Sequence, residues 1–285
     1  MLETRDDSPS TKVLIQEYKN WPEFVWQAEQ AKESYPGITR NSRSDSPTKI
    51  ADTMGTWAEV SKLARLGWYD KVKETHEYRD QVVRRIAKQV KKMQWTQDVT
   101  GTDFDIAKVL SGEPDCWIEP VYKIKKGPSK RLIKVTVNIC INSYVDCKLV
   151  VERGLIIMAM VQLLEYSGRR VELTAISATT RRQEHKLILK IRLKEFEAML
   201  DAPHCLFAIA HPGALRRIEF GVCETIPKMF AEGLGIGSGY GSADSVPLAM
   251  RGDIHLDKGF FDMPNYEPFE WIIKEMKVQG VEFNS

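Results

Sequence analysis

The chain has 285 residues, 43% of them hydrophobic and 28% charged, with a formal net charge of +2. That length supports one large domain or two smaller ones around a substantial core. The near balance of charge argues against a dedicated duplex-coating protein and leaves any nucleic-acid role to a local basic patch.

Residues 1–11 are polar and read as a frayed end. A first helical stretch is expected over 11–32, where Val13, Leu14, Tyr18, Trp21, Phe24, Val25 and Ala28 recur at helical spacing and Pro22 opens a second segment. Residues 34–52 are rich in Ser, Pro, Arg and Asp and read as a loop. Thr56-Trp57-Ala58-Glu59 fits a capping box that starts a short helix ended by Gly67. A long charged helix over 72–92 and a short one over 103–110 follow.

The pattern changes near Pro120. Ile133, Val135, Val137, Ile139 and Ile141 alternate with Lys134, Thr136, Asn138, Cys140 and Asn142, the clearest strand signal in the chain. A polar loop at 142–146 leads into an apolar helix over 148–166, closed by Ser167-Gly168. Strands are expected over 171–177 and 187–193, the first parallel to its predecessor through a βαβ crossover and the second antiparallel after a short turn. Residues 194–209 read as a helix, 220–226 as strand or helix, and 233–241 as a flexible segment. Residues 252–256 read as a short strand, 268–279 as a closing helix and 280–283 as a last strand or tail. The fold class is therefore α/β, with a helical N-terminal region over 1–118 and an α/β core with a C-terminal extension over 119–285.

Cys116, Cys140, Cys147, Cys205 and Cys223 are odd in number and form no C-x-x-C pair, so free thiols are favoured over zinc or a disulfide framework. Residues 1–7 carry no apolar stretch of a signal peptide. The longest apolar run, 154–164, is interrupted by Gln162 and covers about half a bilayer. The expectation is a cytoplasmic protein without a membrane partner.

The order of elements over 132–224 resembles a von Willebrand factor A-type domain: strand, polar loop, apolar helix, strand, antiparallel edge strand. Such domains place Asp-x-Ser-x-Ser after the first strand to hold a metal ion that binds a partner's carboxylate. Here the corresponding positions are Asn142, Tyr144 and Asp146; the leading Asp and both serines are absent, so no metal ligand is carried over. Across nearly the whole chain, Thr56-Trp57-Ala58-Glu59-Val60, Gly67-Trp68, Gly112-Glu113-Pro114, Ala210-His211-Pro212, Leu215-Arg216-Arg217 and Gly252-Asp253-Ile254 resemble an uncharacterised family of bacteriophage and mobile-element proteins. That resemblance implies a phage origin and little about mechanism.

Candidate chemistry is sparse. No catalytic residue, metal ligand or cofactor is nominated, which favours a non-enzymatic protein. Ligands of open α/β sheets bind beyond the carboxyl ends of the strands. The best place for a partner crevice is therefore Asn138, Asn142, Ser143, Tyr144 and Asp146, with a buried polar network as the bland alternative for the asparagines. Gly233 to Gly241 carries glycine at every second position, so Gly235, Gly237, Gly239 and Gly241 are candidates for a phosphate loop. They lack the Lys-Ser/Thr of a Walker loop, and a flexible surface loop is favoured. Lys123, Lys125, Lys126, Lys130 and Arg131 form the densest basic stretch, to which Arg181-Arg182 and Arg216-Arg217 would add. His204 and His211 are seven apart, bracketed by prolines, and read as structural rather than as a metal pair. The preferred reading is a phage-type accessory protein acting as a protein-interaction module. The alternative is a nucleic-acid-binding accessory protein in phage replication or packaging. A nucleotide-binding enzyme using the glycine loop stands third.

Overall fold

A computed structural model describes residues 2–8, 11–31, 41–89, 94–98, 103–104, 106–112, 117–121, 124–126, 132–257, 267–279 and 281–283. In chain order the strands are β1 (Leu2–Ser8), β2 (Thr11–Tyr18), β3 (Gln94–Asp98), β4 (Asp103–Phe104), β5 (Trp117–Val121), β6 (Ile124–Lys126), β7 (Leu132–Asn138), β8 (Arg170–Arg181), β9 (His185–Lys194), β10 (Ser242–Ala243), β11 (Ile254–Leu256) and β12 (Val281–Phe283). The helices are α1 (Trp21–Glu29), α2 (Pro47–Thr53), α3 (Trp57–Leu66), α4 (Val72–Gln89), α5 (Ile106–Ser111), α6 (Cys147–Tyr166), α7 (Ala202–Ala210), a π-helix (Ala214–Glu219), α8 (Phe220–Cys223), α9 (Lys228–Leu234) and α10 (Pro268–Val278).

The architecture is mixed α/β around an open sheet. Its strand order is β1-β2-β9-β8-β7-β11, with β10 added beside the end of β8. β7 and β8 run parallel and are joined by α6, as the βαβ pattern predicts. β8 and β9 are antiparallel. Alternate residues split cleanly between the two faces. Ile133, Val135, Val137, Val171, Leu173, Ala175, Leu187 and Leu189 face the main core, together with the buried residues of α1, α3, α6, α7, α8, α9 and α10. Val13, Ile15, Ile176, Ala178 and Ile188 face the other side, where Val246 and Met250 cover them. α6 is buried almost all round from Leu155 to Leu164, which is why its sequence carries no polar stripe. No helix among the described residues is long and apolar enough to cross a membrane.

Several expectations are corrected. Residues 11–18 form a strand rather than a helix, and β2 pairs in parallel with β9 inside the sheet. Val13, Leu14 and Ile15 are buried on both faces, and such a continuous apolar run carries no clear period. Residues 2–8 pair with β2 instead of fraying, because ladder bonds need only main-chain groups. β9 is therefore an inner strand rather than the expected edge, and the sheet draws strands from both sides of residue 118. Residues 47–53 are helical within the expected loop. Lys194 ends β9 rather than opening a helix. Its buried ammonium meets Glu165 at 2.7 Å and the carbonyls of Val171 and Glu195. The following helix starts only at Ala202, capped by Asp201 and helped by Pro203 in its first turn. The capping box at Thr56 forms as expected, with Glu59 reaching back to the Thr56 amide at 2.8 Å.

α6 and α7 cross closely at Gly154, where a methyl group would collide with Ala210. Gly154→Ala is expected to destabilise the fold by about 1–3 kcal/mol through overpacking, read as a lower urea midpoint at unchanged slope.

Candidate functional site

At the carboxyl ends of β7 and β8 lies a crevice of about 250 Å³. Four segments line it: Lys49 and Asp52 of α2, Cys140 to Tyr144 after β7, Arg216, Glu219 and Phe220 of the buried helix, and Gly239 to Ala243. Thr179 of β8 also lines it.

The π-helix organises these walls. Wide π-turns are rare and recur at functional sites. This one carries Arg216, Arg217 and Glu219 in the core, which forces each to find partners. Arg216 donates to the carbonyls of Ser143 (3.2 Å), Val145 (3.0 Å) and Asp52 (2.9 Å) and contacts the Cys147 sulfur at 3.4 Å. It thereby pins the loop after β7 to the end of α2. Arg217, fully buried, donates to Thr53 Oγ1 (2.8 Å) and the Ser42 carbonyl (3.0 Å) and pairs with Asp45 at 3.1 Å. One residue beyond α8, Glu224 accepts from the Ser42 amide and hydroxyl and from the Tyr240 hydroxyl. Tyr240 stacks on Phe220 at 3.7 Å, so the glycine-rich turn is anchored to the same helix.

The floor is less fully satisfied. Glu219 is 1% exposed; its Oε1 accepts from Ser177 Oγ at 2.5 Å, while its Oε2 has no hydrogen-bond partner. Thr179 Oγ1, buried two residues along β8, has none either. Burial pushes the Glu219 carboxyl up to about 8, against the opposing hydrogen bond from Ser177, so it is neutral at pH 7. Lys49, over the Phe220 ring at 4.7 Å, is brought down to about 8 by burial and by Arg217 and Arg216, opposed by Asp52 and Glu224. Burial raises the Cys147 thiol, which leaves it a poor nucleophile despite Arg216 beside it.

The structure brings Asn142, Ser143 and Tyr144 to the crevice, with the Tyr144 side chain 75% exposed at the rim. Two neighbours belong elsewhere. Asn138 is fully buried and bridges the Asp244 carbonyl (2.8 Å) and Asp257 Oδ1 (2.9 Å), while its own oxygen accepts from the Cys140 amide. It is the structural network residue of the bland alternative. Asp146 caps α6, accepting from the Lys148 amide at 2.6 Å, and is not on the crevice wall.

The glycine-rich stretch closes α9 and then turns toward the crevice, with Ile236 and Tyr240 buried. Gly239 and Gly241 reach the crevice; Gly235 ends α9 in the left-handed region beneath Arg181, and Gly237 also turns left-handed. Arg216 and Arg217 cannot join a solvent-facing basic patch, because both are buried. Lys123, Lys130 and Arg131 lie outside the described residues; Lys125 and Lys126 fall in β6, paired with β12. His204 is bonded to Asp201 and the Arg65 carbonyl, and His211 accepts from the Gly213 amide, so each is satisfied separately. Among the described residues no group of three His, Cys, Asp or Glu side chains suits a metal ion.

Sequence reasoning missed Glu219, Thr179, Lys49 and Asp52. Glutamate in the apolar run from Ile218 to Val222 was the one available signal, since a charge there must be buried or paired.

Fold and crevice thus define a mixed α/β protein whose open sheet carries a polar-floored cleft at its carboxyl end. A family model described as Domain of unknown function (DUF7192) matches residues 4–279, and the chain belongs to that family. No curated protein and no solved structure matches it significantly.

Two outcomes follow from the buried charges. Arg217→Ala is expected to cost about 2–3 kcal/mol in urea unfolding, less than the ~3–5 kcal/mol of a wholly buried pair because Asp45 is half exposed. Glu219 holds a proton in the folded state between its ordinary value of 4.5 and about 8 that the unfolded chain has released. Stability from this group therefore falls as pH rises through that window. His211, which burial lowers from 6.5 to about 4, acts oppositely, its loss confined to pH below 6.5. Glu219→Gln should flatten the decline in urea midpoint between pH 6.5 and about 8.

Proposed function

We propose that this chain is a non-enzymatic interaction module, of phage-type accessory role, that receives a short segment of a partner protein in the crevice. The observation that carries this reading is the floor: Glu219 Oε2 and Thr179 Oγ1 are buried polar atoms left without partners at the bottom of an accessible cleft. Native proteins rarely leave such atoms unsatisfied, and each costs about 1–3 kcal/mol until a partner arrives. A neutral carboxyl donates through its O–H, and a hydroxyl donates or accepts. The pair therefore matches an uncharged hydrogen-bonding group, such as the side-chain amide of asparagine or glutamine.

The volume supports insertion of one side chain. About 250 Å³ lies below the ~300–1,000 Å³ of sites that enclose a whole small molecule. Above the floor, Ile141, Leu215, Phe220 and Tyr240 offer apolar wall, and Tyr144 at the rim supplies a rigid aromatic for the flanking residues. Arg216 holds the rim loop by its main chain, so little ordering entropy is lost on binding. The resemblance to bacteriophage and mobile-element proteins supports the accessory setting.

Selection from a random displayed-peptide library against the purified chain tests the reading. Enriched peptides should share an Asn or Gln and bind at least about tenfold more weakly to Tyr144→Ala and to Glu219→Ala. A library that enriches nothing, or peptides indifferent to both substitutions, would overturn it.

A further inference from the structure

At the opposite end of the sheet, by the amino end of β8, a second and larger groove of about 520 Å³ opens. It is built where the end of α6 meets α4 and the segment before α7. Among the described residues three arginines line it, Arg79, the buried Arg169 and Arg170, with Glu165 as the lining carboxylate. That carboxylate is already engaged: Lys194 meets it from the core at 2.7 Å, and it accepts from the Val171 amide. Arg79 pairs with Asp80 and lays its guanidinium over Tyr166, 5.3 Å from the ring centre. Arg169 is held in place by Ser167 Oγ (2.8 Å) and the Gln279 carbonyl (3.0 Å). Arg170 is exposed. His76 also lines the groove, and burial lowers its pKa, so it adds no positive charge at neutral pH.

Two further features narrow the ligand. Tyr166 is 68% exposed and lines the groove, so its ring is accessible beside Arg79. Gln162 is buried, lines the groove, and has a side-chain oxygen without a donor. The groove thus offers arginines for an oxyanion, an aromatic face for a flat ring, and a buried acceptor for an N–H or O–H. A simple phosphate uses only the first, and an acidic peptide uses the second only where it also carries an aromatic side chain. A nucleotide uses all three, since guanidinium groups grip phosphate in a bidentate manner and bases stack on tyrosine beside arginine.

We propose that this groove binds a 5′-phosphorylated nucleoside, with the phosphate at Arg169 and Arg170, the base on Tyr166 beside Arg79, and a base amino or ribose hydroxyl group donating to Gln162. The free nucleotide and the 5′ end of a nucleic-acid strand present the same chemistry. The site is independent of the crevice at the other end of β8.

Isothermal titration of the full chain with adenosine 5′-monophosphate, adenosine, inorganic phosphate and a 5′-phosphorylated oligonucleotide tests it. The monophosphate should bind saturably and at least about tenfold more tightly than either of its halves. Arg170→Glu, at an exposed position that leaves folding intact by circular dichroism, should weaken it about tenfold or more. Tyr144→Ala in the crevice should leave it unchanged. Tighter binding of the oligonucleotide than of the monophosphate assigns the ligand to a strand end, and the reverse assigns it to the free nucleotide. No saturable heat with either phosphorylated nucleoside, equal binding by inorganic phosphate, or an Arg170→Glu variant that binds like the wild type would overturn the proposal.

Discussion

Two adjacent arginines in the middle of the core, Arg216 and Arg217, set the terms for much of this structure. A buried guanidinium is tolerable only when its donors are met. Arg217 is met by Ser42, Asp45 and Thr53; Arg216 is met by Asp52 and the carbonyls after β7. The π-helix makes this possible by widening the turn that carries both residues, so that they serve two separate segments. Glu224 adds a third tie, to Ser42 and to Tyr240 in the glycine-rich turn. Segments distant in sequence, around 42–53, 142–145 and 237–241, are thereby gathered at one end of the sheet.

That gathering explains why the crevice exists where it does. Parallel strands ending together leave a gap above their carboxyl ends. Here the gap is walled by loops bonded to a buried helix and, through Asn41 to Gly237 and Tyr240, to each other. The walls are therefore held from several sides, and Tyr144 stands exposed at the rim. Glu219 is the counterpart of the arginines. It shares their helix, but only one of its oxygens is satisfied, and burial keeps it protonated at neutral pH.

The same economy is visible at the other end of the sheet. Lys194 closes β9 by neutralising Glu165 from inside, so that this carboxylate does not set an unbalanced negative charge beside Arg79, Arg169 and the exposed Arg170. A core residue at a strand terminus thus shapes the electrostatics of a surface groove.

Period-two alternation in β7, the featureless apolar length of α6, the capping box at Thr56 and the hairpin between β8 and β9 were legible in the amino-acid order, because each is written in neighbouring residues. So was the location of the crevice loop at Asn142 to Tyr144, which follows from strand polarity alone. The sequence by itself therefore determined the mixed α/β class, the βαβ unit and the absence of a C-x-x-C zinc pattern. Tertiary structure decided the rest. β2 is a strand because β9 offers it a parallel partner, not because its own residues demand it. Asn138 and Asp146 were drawn away from the crevice by local partners, a bridge to Asp244 and Asp257 in one case and a helix cap in the other. Lys49, Thr179, Glu219 and the glycine turn share one cleft although up to 192 positions separate them. No local pattern encodes that meeting, because it arises from buried charges that must find partners wherever the chain can supply them.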